Sequence, residues 1–157
     1  NTTVITDAKN LKLGEAVFIG HYNFIESSNG ITIEDGVQLT NYISVLTHSS
    51  HQSIRLYGYE YLNHSDLIGY RKGSASIGKF SFIGPHVTIL PGTKIGKGSI
   101  VSAYSMVNGA FPEFAIIAGN PAVVIGDPET LNALGTLIAT LVTVPKLVVY
   151  PSGFDAK

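Results

Sequence analysis

Aliphatic side chains return at every sixth residue along much of this chain. From Ile77 the beat runs Ile77, Ile83, Ile89, Ile95, Val101, Val107; it also appears at Leu13, Ile19, Ile25 and at Ile33, Leu39, Val45. Glycine often follows, as in Leu13-Gly14, Ile19-Gly20, Ile77-Gly78 and Ile95-Gly96. Four places after the later aliphatics stand small or β-branched residues: Ser81, Val87, Thr93, Ser99, Ser105. A sustained six-residue period marks a repeat architecture. Each hexad predicts a short strand and a tight turn, with the aliphatic residue pointing inward. Three hexads close a triangular coil, and parallel stacking lets each coil bury its aliphatics against the next. Leu13 to His48 predicts about two coils and Ile77 to Val124 nearly three.

Two interruptions shape the expectation. The step from Ile25 to Ile33 is eight residues, which predicts a bulged corner at Ser27-Ser28-Asn29-Gly30. Residues 49–76 lose the beat and carry Tyr57, Tyr59, Tyr61, Tyr70, Arg55, Arg71 and Lys72. They read as a loop projecting from one coil, and a long loop rich in aromatics suggests function rather than disorder. The expected fold is all-β, a parallel β-helix over residues 1–126, followed by a short C-terminal helix and tail over 127–157. Asp127-Pro128-Glu129 reads as an N-cap, a first-turn proline and an acidic first turn. The apolar stretch Leu131 to Val144, interrupted by Gly135, is too short to span a bilayer. It predicts a helix packed on the coil or on a neighbouring subunit, with a membrane-surface helix as the alternative, which lacks the Lys or Arg of a polar face.

Composition narrows the function classes. With 17 glycines and 13% charged residues, the chain suits tight-cornered coils better than a helical bundle. A net charge of −1 supplies no electrostatic footprint for nucleic acid. The absence of cysteine excludes disulfides and thiolate metal sites. No secretory leader is legible at the start, so a cytoplasmic location is expected.

Three segments carry a resemblance: Gly30-Ile31-Thr32-Ile33-Glu34-Asp35-Gly36-Val37, Thr47-His48-Ser49-Ser50-His51-Gln52-Ser53-Ile54-Arg55, and Ile117-Ala118-Gly119-Asn120-Pro121-Ala122. Set among hexads, they resemble the hexapeptide-repeat acyltransferases, nearest to the sugar O-acetyltransferases of the galactoside and maltose group. The resemblance implies a left-handed coil, whereas ordinary parallel crossovers are right-handed. It implies acetyl-CoA as co-substrate with no metal, a saccharide or other small acceptor, and a homotrimer with sites between subunits. It implies a histidine general base that takes the hydroxyl proton. His51 and His48 compete for that role, with His51 preferred. The family histidine usually stands five residues after the aliphatic, here Ser50; His51 is one beyond and His48 two short. Relatives with a Thr-His-x-His run use the second histidine, which favours His51, while the spacing to Arg55 favours His48.

By the same resemblance Ala103, Asn108 and Gly109 contact the cofactor, and Gly119 and Asn120 lie near that groove. Asn23, one coil earlier, is the candidate acceptor ligand, with a left-handed corner residue as the alternative. Basic residues that relatives carry after Pro-Ala are replaced here by Val123 and Gly126. Lys94 and Lys97 are then the cations left for a phosphate, or else solvated corner residues. His86, on a corner, and His64, within the loop, read as solvated or structural; His21 belongs with Asn23 to the preceding coil and has a weaker claim than His48 or His51. Rival readings fare less well. A metal enzyme of the γ-carbonic anhydrase type needs two histidines five residues apart, and no pair has that spacing. Regular threonine ladders for ice binding are missing. N-acetylation of an amino sugar or amino acid stays open on the same scaffold, as does a non-catalytic binding module.

Overall fold

The computed structural model describes residues 2–127, and the expected C-terminal helix lies outside them. Among the described residues the short strands sort into three main sheets, each gaining one strand per turn of the chain. The first sheet stacks Val4–Thr6, Phe24–Glu26, Ser44–Val45, Thr88–Ile89 and Met106–Val107. The second stacks Leu11–Leu13, Ile31–Ile33, Ala75–Ile77, Lys94–Ile95 and Ala110–Phe111. The third stacks Phe18–Ile19, Gln38–Leu39, Phe82–Ile83, Ile100–Val101 and Ile116–Gly119. All these pairings are parallel; Ala122–Gly126 then adds to the third sheet antiparallel. The coil begins earlier than the hexads suggest, because Val4–Thr6 already pairs with Phe24–Glu26.

Register explains the hydrophobic beat. Ile25, Val45, Ile89 and Val107 lie side by side, as do Ile33, Ile77 and Ile95, and Leu39, Ile83, Val101 and Ile117. Nearly all of them are wholly buried. The small residues four places on, Ser81, Thr93, Ser99 and Ser105, are buried too, and their hydroxyls bond to backbone carbonyls. A buried hydroxyl without a partner would destabilise the coil, so these bonds make the small polar positions compatible with the core.

Length varies at one corner. Between the first and second sheets, successive inward residues are eight apart at Ile5–Leu13 and Ile25–Ile33, and thirty-two apart at Val45–Ile77. They are then six apart at Ile89–Ile95 and four at Val107–Phe111. The other two corners keep a step of six throughout. The eight-residue step makes the expected turn: Gly30 N–H bonds Ser27 O at 3.0 Å, and Gly30 has φ 91°.

The thirty-two-residue step holds the inserted segment. It was expected as a loop, but it contains its own elements. His48–Ser49 pairs antiparallel with Arg71–Lys72, helix α1 spans His51–Tyr57, and a 3₁₀ turn spans Gly58–Asn63. Ser53 is buried and donates to Ile68 O at 2.9 Å; Ile68 N–H donates to the Tyr57 hydroxyl at 3.1 Å. Seven helical residues are too few for a periodic pattern to be read.

At the corner leading into the first sheet, Tyr22, Tyr42, His86 and Tyr104 all take left-handed backbone angles, with φ of 59°, 60°, 58° and 60°. Their rings stack at 5.1, 4.8 and 4.7 Å in successive pairs. A left-handed L-residue costs about 1–2 kcal/mol, and each stacked pair returns about 0.5–1.5 kcal/mol. His86 is thereby a corner residue, in line with its structural reading.

Candidate functional site

The site grows from the corner where the inserted segment leaves the coil. Register sets Ile25 beside Val45, which brings Glu26 against the chain just before His48. Glu26 is 6% exposed. Its Oε1 accepts Ser28 N–H at 2.8 Å, and its Oε2 accepts Thr47 N–H at 2.9 Å and the Thr47 hydroxyl at 2.8 Å. His48 Nδ1 lies 2.8 Å from the same Oε2. Burial alone would raise this carboxyl, but hydrogen bonds from Ser28 and Thr47 outweigh it and lower the pKa from 4.5 to about 2.

An ionised carboxylate only accepts hydrogen bonds, so the proton of a neutral His48 must sit on Nδ1. The lone pair of Nε2 is then free. Tyr70 stacks on the His48 ring at 5.6 Å and 14°. Burial raises the Tyr70 phenol above its ordinary value, with Tyr61 and Glu26 adding to the shift, so it remains a hydroxyl.

The depressed Glu26 pKa makes a stability prediction. A carboxyl whose folded pKa is lowered stabilises the fold above its unfolded value and loses that contribution as pH falls through the folded one. For Glu26 the window runs from pH 4.5 down to about 2. Glu26→Gln is expected to cost about 3 kcal/mol at neutral pH and to flatten that part of the acid limb. Denaturant melts between pH 7 and pH 2 check both points.

His51 belongs to a different environment. Its Nδ1 meets Ser49 Oγ at 2.8 Å, a partner that can donate or accept and so fixes no tautomer. In the antiparallel pair His48 lies opposite Lys72 and Ser49 opposite Arg71. Side chains alternate between faces of a strand, so His48 and Lys72 share one face while Ser49 and Arg71 share the other. On that second face Ser49, His51, Arg71, Leu90, Pro91 and Asn108 line a cleft of about 170 Å³. The carboxylate partner therefore belongs to His48, and the cleft belongs to His51.

The other expected positions fall into two groups beside the first sheet. Asn108 and Gly109 follow its last strand at the corner that holds the His51 cleft. Ala103 precedes that strand at the opposite corner. Gly119 ends the strand Ile116–Gly119 and Asn120 begins the turn to Ala122–Gly126; Gly119 N–H donates to Ser105 Oγ at 3.2 Å, two residues after Ala103 in the chain.

Asn23 is held inside the coil. It is 2% exposed; its Nδ2 donates to Thr40 O at 2.9 Å, and its Oδ1 accepts Ile43 N–H at 2.8 Å. The amide ties two coils together and is almost wholly closed off from solvent. Nor is it the left-handed corner residue; that is its neighbour Tyr22. Lys97 is also engaged, 3.0 Å from Glu113 and over the Phe114 ring. Glu26 was missed by sequence reading. The signal was present: in a coil of twenty residues it stands one turn behind Leu46, an acid directly after an inward isoleucine.

Among the described residues no group of three or more His, Cys, Asp or Glu could hold a metal ion. No helix among them is long and apolar enough to cross a membrane.

Residues 74–109 match the family model described as bacterial transferase hexapeptide (six repeats). Over 74 residues, 47% of this chain, the sequence is 42% identical to YvoF of Bacillus subtilis (strain 168), named as a candidate acetyltransferase. Over 49 residues, 31% of this chain, it is 51% identical to WbbJ of Escherichia coli (strain K12), named as a candidate lipopolysaccharide biosynthesis O-acetyl transferase. The matches span 41% of YvoF and 25% of WbbJ. A hexapeptide-repeat acetyltransferase of Vibrio cholerae O1 biovar eltor, solved with acetyl coenzyme A, superposes with a TM-score of 0.66 at 25% identity. That superposition covers 76% of this chain and 61% of the other.

Proposed function

We propose that this chain, a carrier of the transferase hexapeptide repeat with the coil of the hexapeptide-repeat acetyltransferases, transfers acetyl from acetyl-CoA to a saccharide hydroxyl. His48 is its general base. The observation that carries this reading is the His48–Glu26 pair at the corner where the inserted segment leaves the coil. The names of YvoF and WbbJ, and the acetyl coenzyme A complex of the Vibrio protein, support the reaction class and an oxygen acceptor.

A sugar hydroxyl is too weak an acid to ionise unaided at neutral pH. Nε2 of His48 accepts its proton as the oxygen attacks the thioester carbonyl. Glu26 keeps Nδ1 protonated, holds the ring in place and stabilises the imidazolium that forms. The new C–O bond replaces the C–S bond, and the proton passes from His48 to the departing sulfur. The sequence contains no Cys to carry an acyl thioester, and direct transfer needs none.

Asn108 and Gly109 on one side of the last first-sheet strand, with Ala103, Gly119 and Asn120 on the other, hold the co-substrate. The coil is left-handed and the assembly is a homotrimer. The outward positions Phe18, Phe82 and Ile100 of the third sheet, all exposed on one chain, favour a packed partner. We place the reaction in the cytoplasm, where acetyl-CoA is available.

The test is free-thiol release from acetyl-CoA against a panel of saccharides and sugar nucleotides. Acceptor-dependent release supports the reading. No release with any acceptor, together with no binding of CoA, overturns it in favour of a binding module.

A further inference from the structure

We infer that the acceptor binds in the cavity on the His48 face of the inserted segment, and that this cavity recognises a polyhydroxylated ring. The inference rests on the acetyl-transfer reading and adds the substrate's place and chemistry. The cavity has a volume of about 450 Å³ and is lined by Ser65, Asp66, Leu67, Tyr70 and Lys72. That volume lies in the range of small-ligand sites.

Two links tie it to the base. Tyr70 forms part of its wall and stacks on His48. Lys72 lies opposite His48 in the antiparallel pair, so both project from the same face. The His51 cleft lies on the other face, beside Asn108, one of the residues proposed to hold the co-substrate. The hairpin thus separates an acceptor side from a co-substrate side, with His48 on the former.

The wall chemistry names the class. Some charged surface groups engage each other, as in Lys79–Asp35 and Lys97–Glu113, both within 3.0 Å. Among the described residues the Ser65 hydroxyl, the Asp66 carboxylate and the Lys72 ammonium make no such bond. A pure acceptor, a pure donor and two hydroxyls that serve as either match vicinal sugar hydroxyls, each of which donates and accepts. Leu67 supplies an apolar contact for a ring face.

The experiment compares wild type with Asp66→Asn and Lys72→Met. It uses saturation-transfer NMR for binding of free saccharides and of sugar nucleotides, and thiol-release kinetics for turnover. Losing one charged hydrogen bond should raise the acceptor KM about tenfold to a hundredfold, leave the acetyl-CoA KM unchanged, and weaken the NMR signal in parallel. Signals from free saccharides and from sugar nucleotides distinguish the two sources of the ring. An unchanged acceptor KM and signal in both variants would overturn the site. CoA binding with no saccharide signal across the panel would overturn the sugar class while leaving acetyl transfer standing. Both side chains are exposed, so unchanged melting temperatures confirm that the variants fold.

Discussion

His48→Ala is expected to lower kcat by about 10²–10⁴-fold with little change in the KM for acetyl-CoA. The expectation follows from what each histidine touches. His48 Nδ1 is held by a buried carboxylate that four donors address, including the ring itself. The ring is stacked under Tyr70, and its side chain is 36% exposed. Removing the base acts on proton transfer, so the loss falls on kcat. His51→Ala removes a ring whose recorded bond is to Ser49 and whose cleft faces Asn108. Its effect is expected within about tenfold, as for one neutral hydrogen bond, and to fall on the acetyl-CoA KM. Steady-state kinetics of both variants decide the matter. A large kcat loss in His51→Ala with His48→Ala near wild type would exchange the two roles.

Gly96→Ala is expected to be the most damaging single-methyl change to the coil. A Cβ there would stand 2.4 Å from Glu113 N, 2.5 Å from Pro112 C and 2.6 Å from Glu113 Cα. All three are backbone atoms of the next coil, so no side-chain rotation relieves the clash. The coils would have to part, yet Gly96 N–H bonds Phe111 O at 3.1 Å across that same gap. Overpacking of this kind costs about 3 kcal/mol or more where the neighbour cannot move. Gly92→Ala is the matched control. Nothing lies within 4 Å of its Cβ position, but its φ is 85°. That substitution carries backbone strain alone, about 1–2 kcal/mol. Chemical denaturation should rank Gly96→Ala well below Gly92→Ala; equal stabilities would show that the coils can separate freely at this contact.

The coil was legible in the sequence because one physical demand, burying a single aliphatic residue per side, repeats along the chain. Ile83 and Val101 announce each other once the period is seen. The eight-residue step at Ile25–Ile33 was legible for the same reason, as a departure from that period. The inserted segment was legible only as an interruption. Helix α1 spans less than two full turns, and its stitches through Ser53 and Tyr57 join residues with no pattern in common.

The candidate site was half legible. His48 and His51 stand out as the pair at the loop junction, but spacing counted from Val45 cannot say which ring gains a carboxylate. That depends on Glu26, a full coil away, and on whether a side chain lies before or after a strand reversal. The bonding of Asn23 was not legible because a corner asparagine can face outward or tie coils together, and only the carbonyl of Thr40 and the N–H of Ile43 decide between them.

The most direct test of the account is the fate of an isotopically labelled acetyl group supplied on CoA with a saccharide acceptor. Label is expected on the saccharide as an oxygen ester, released by mild alkali, and is expected to be lost in His48→Ala. Label held in an alkali-stable amide, or no label on any acceptor, would contradict it.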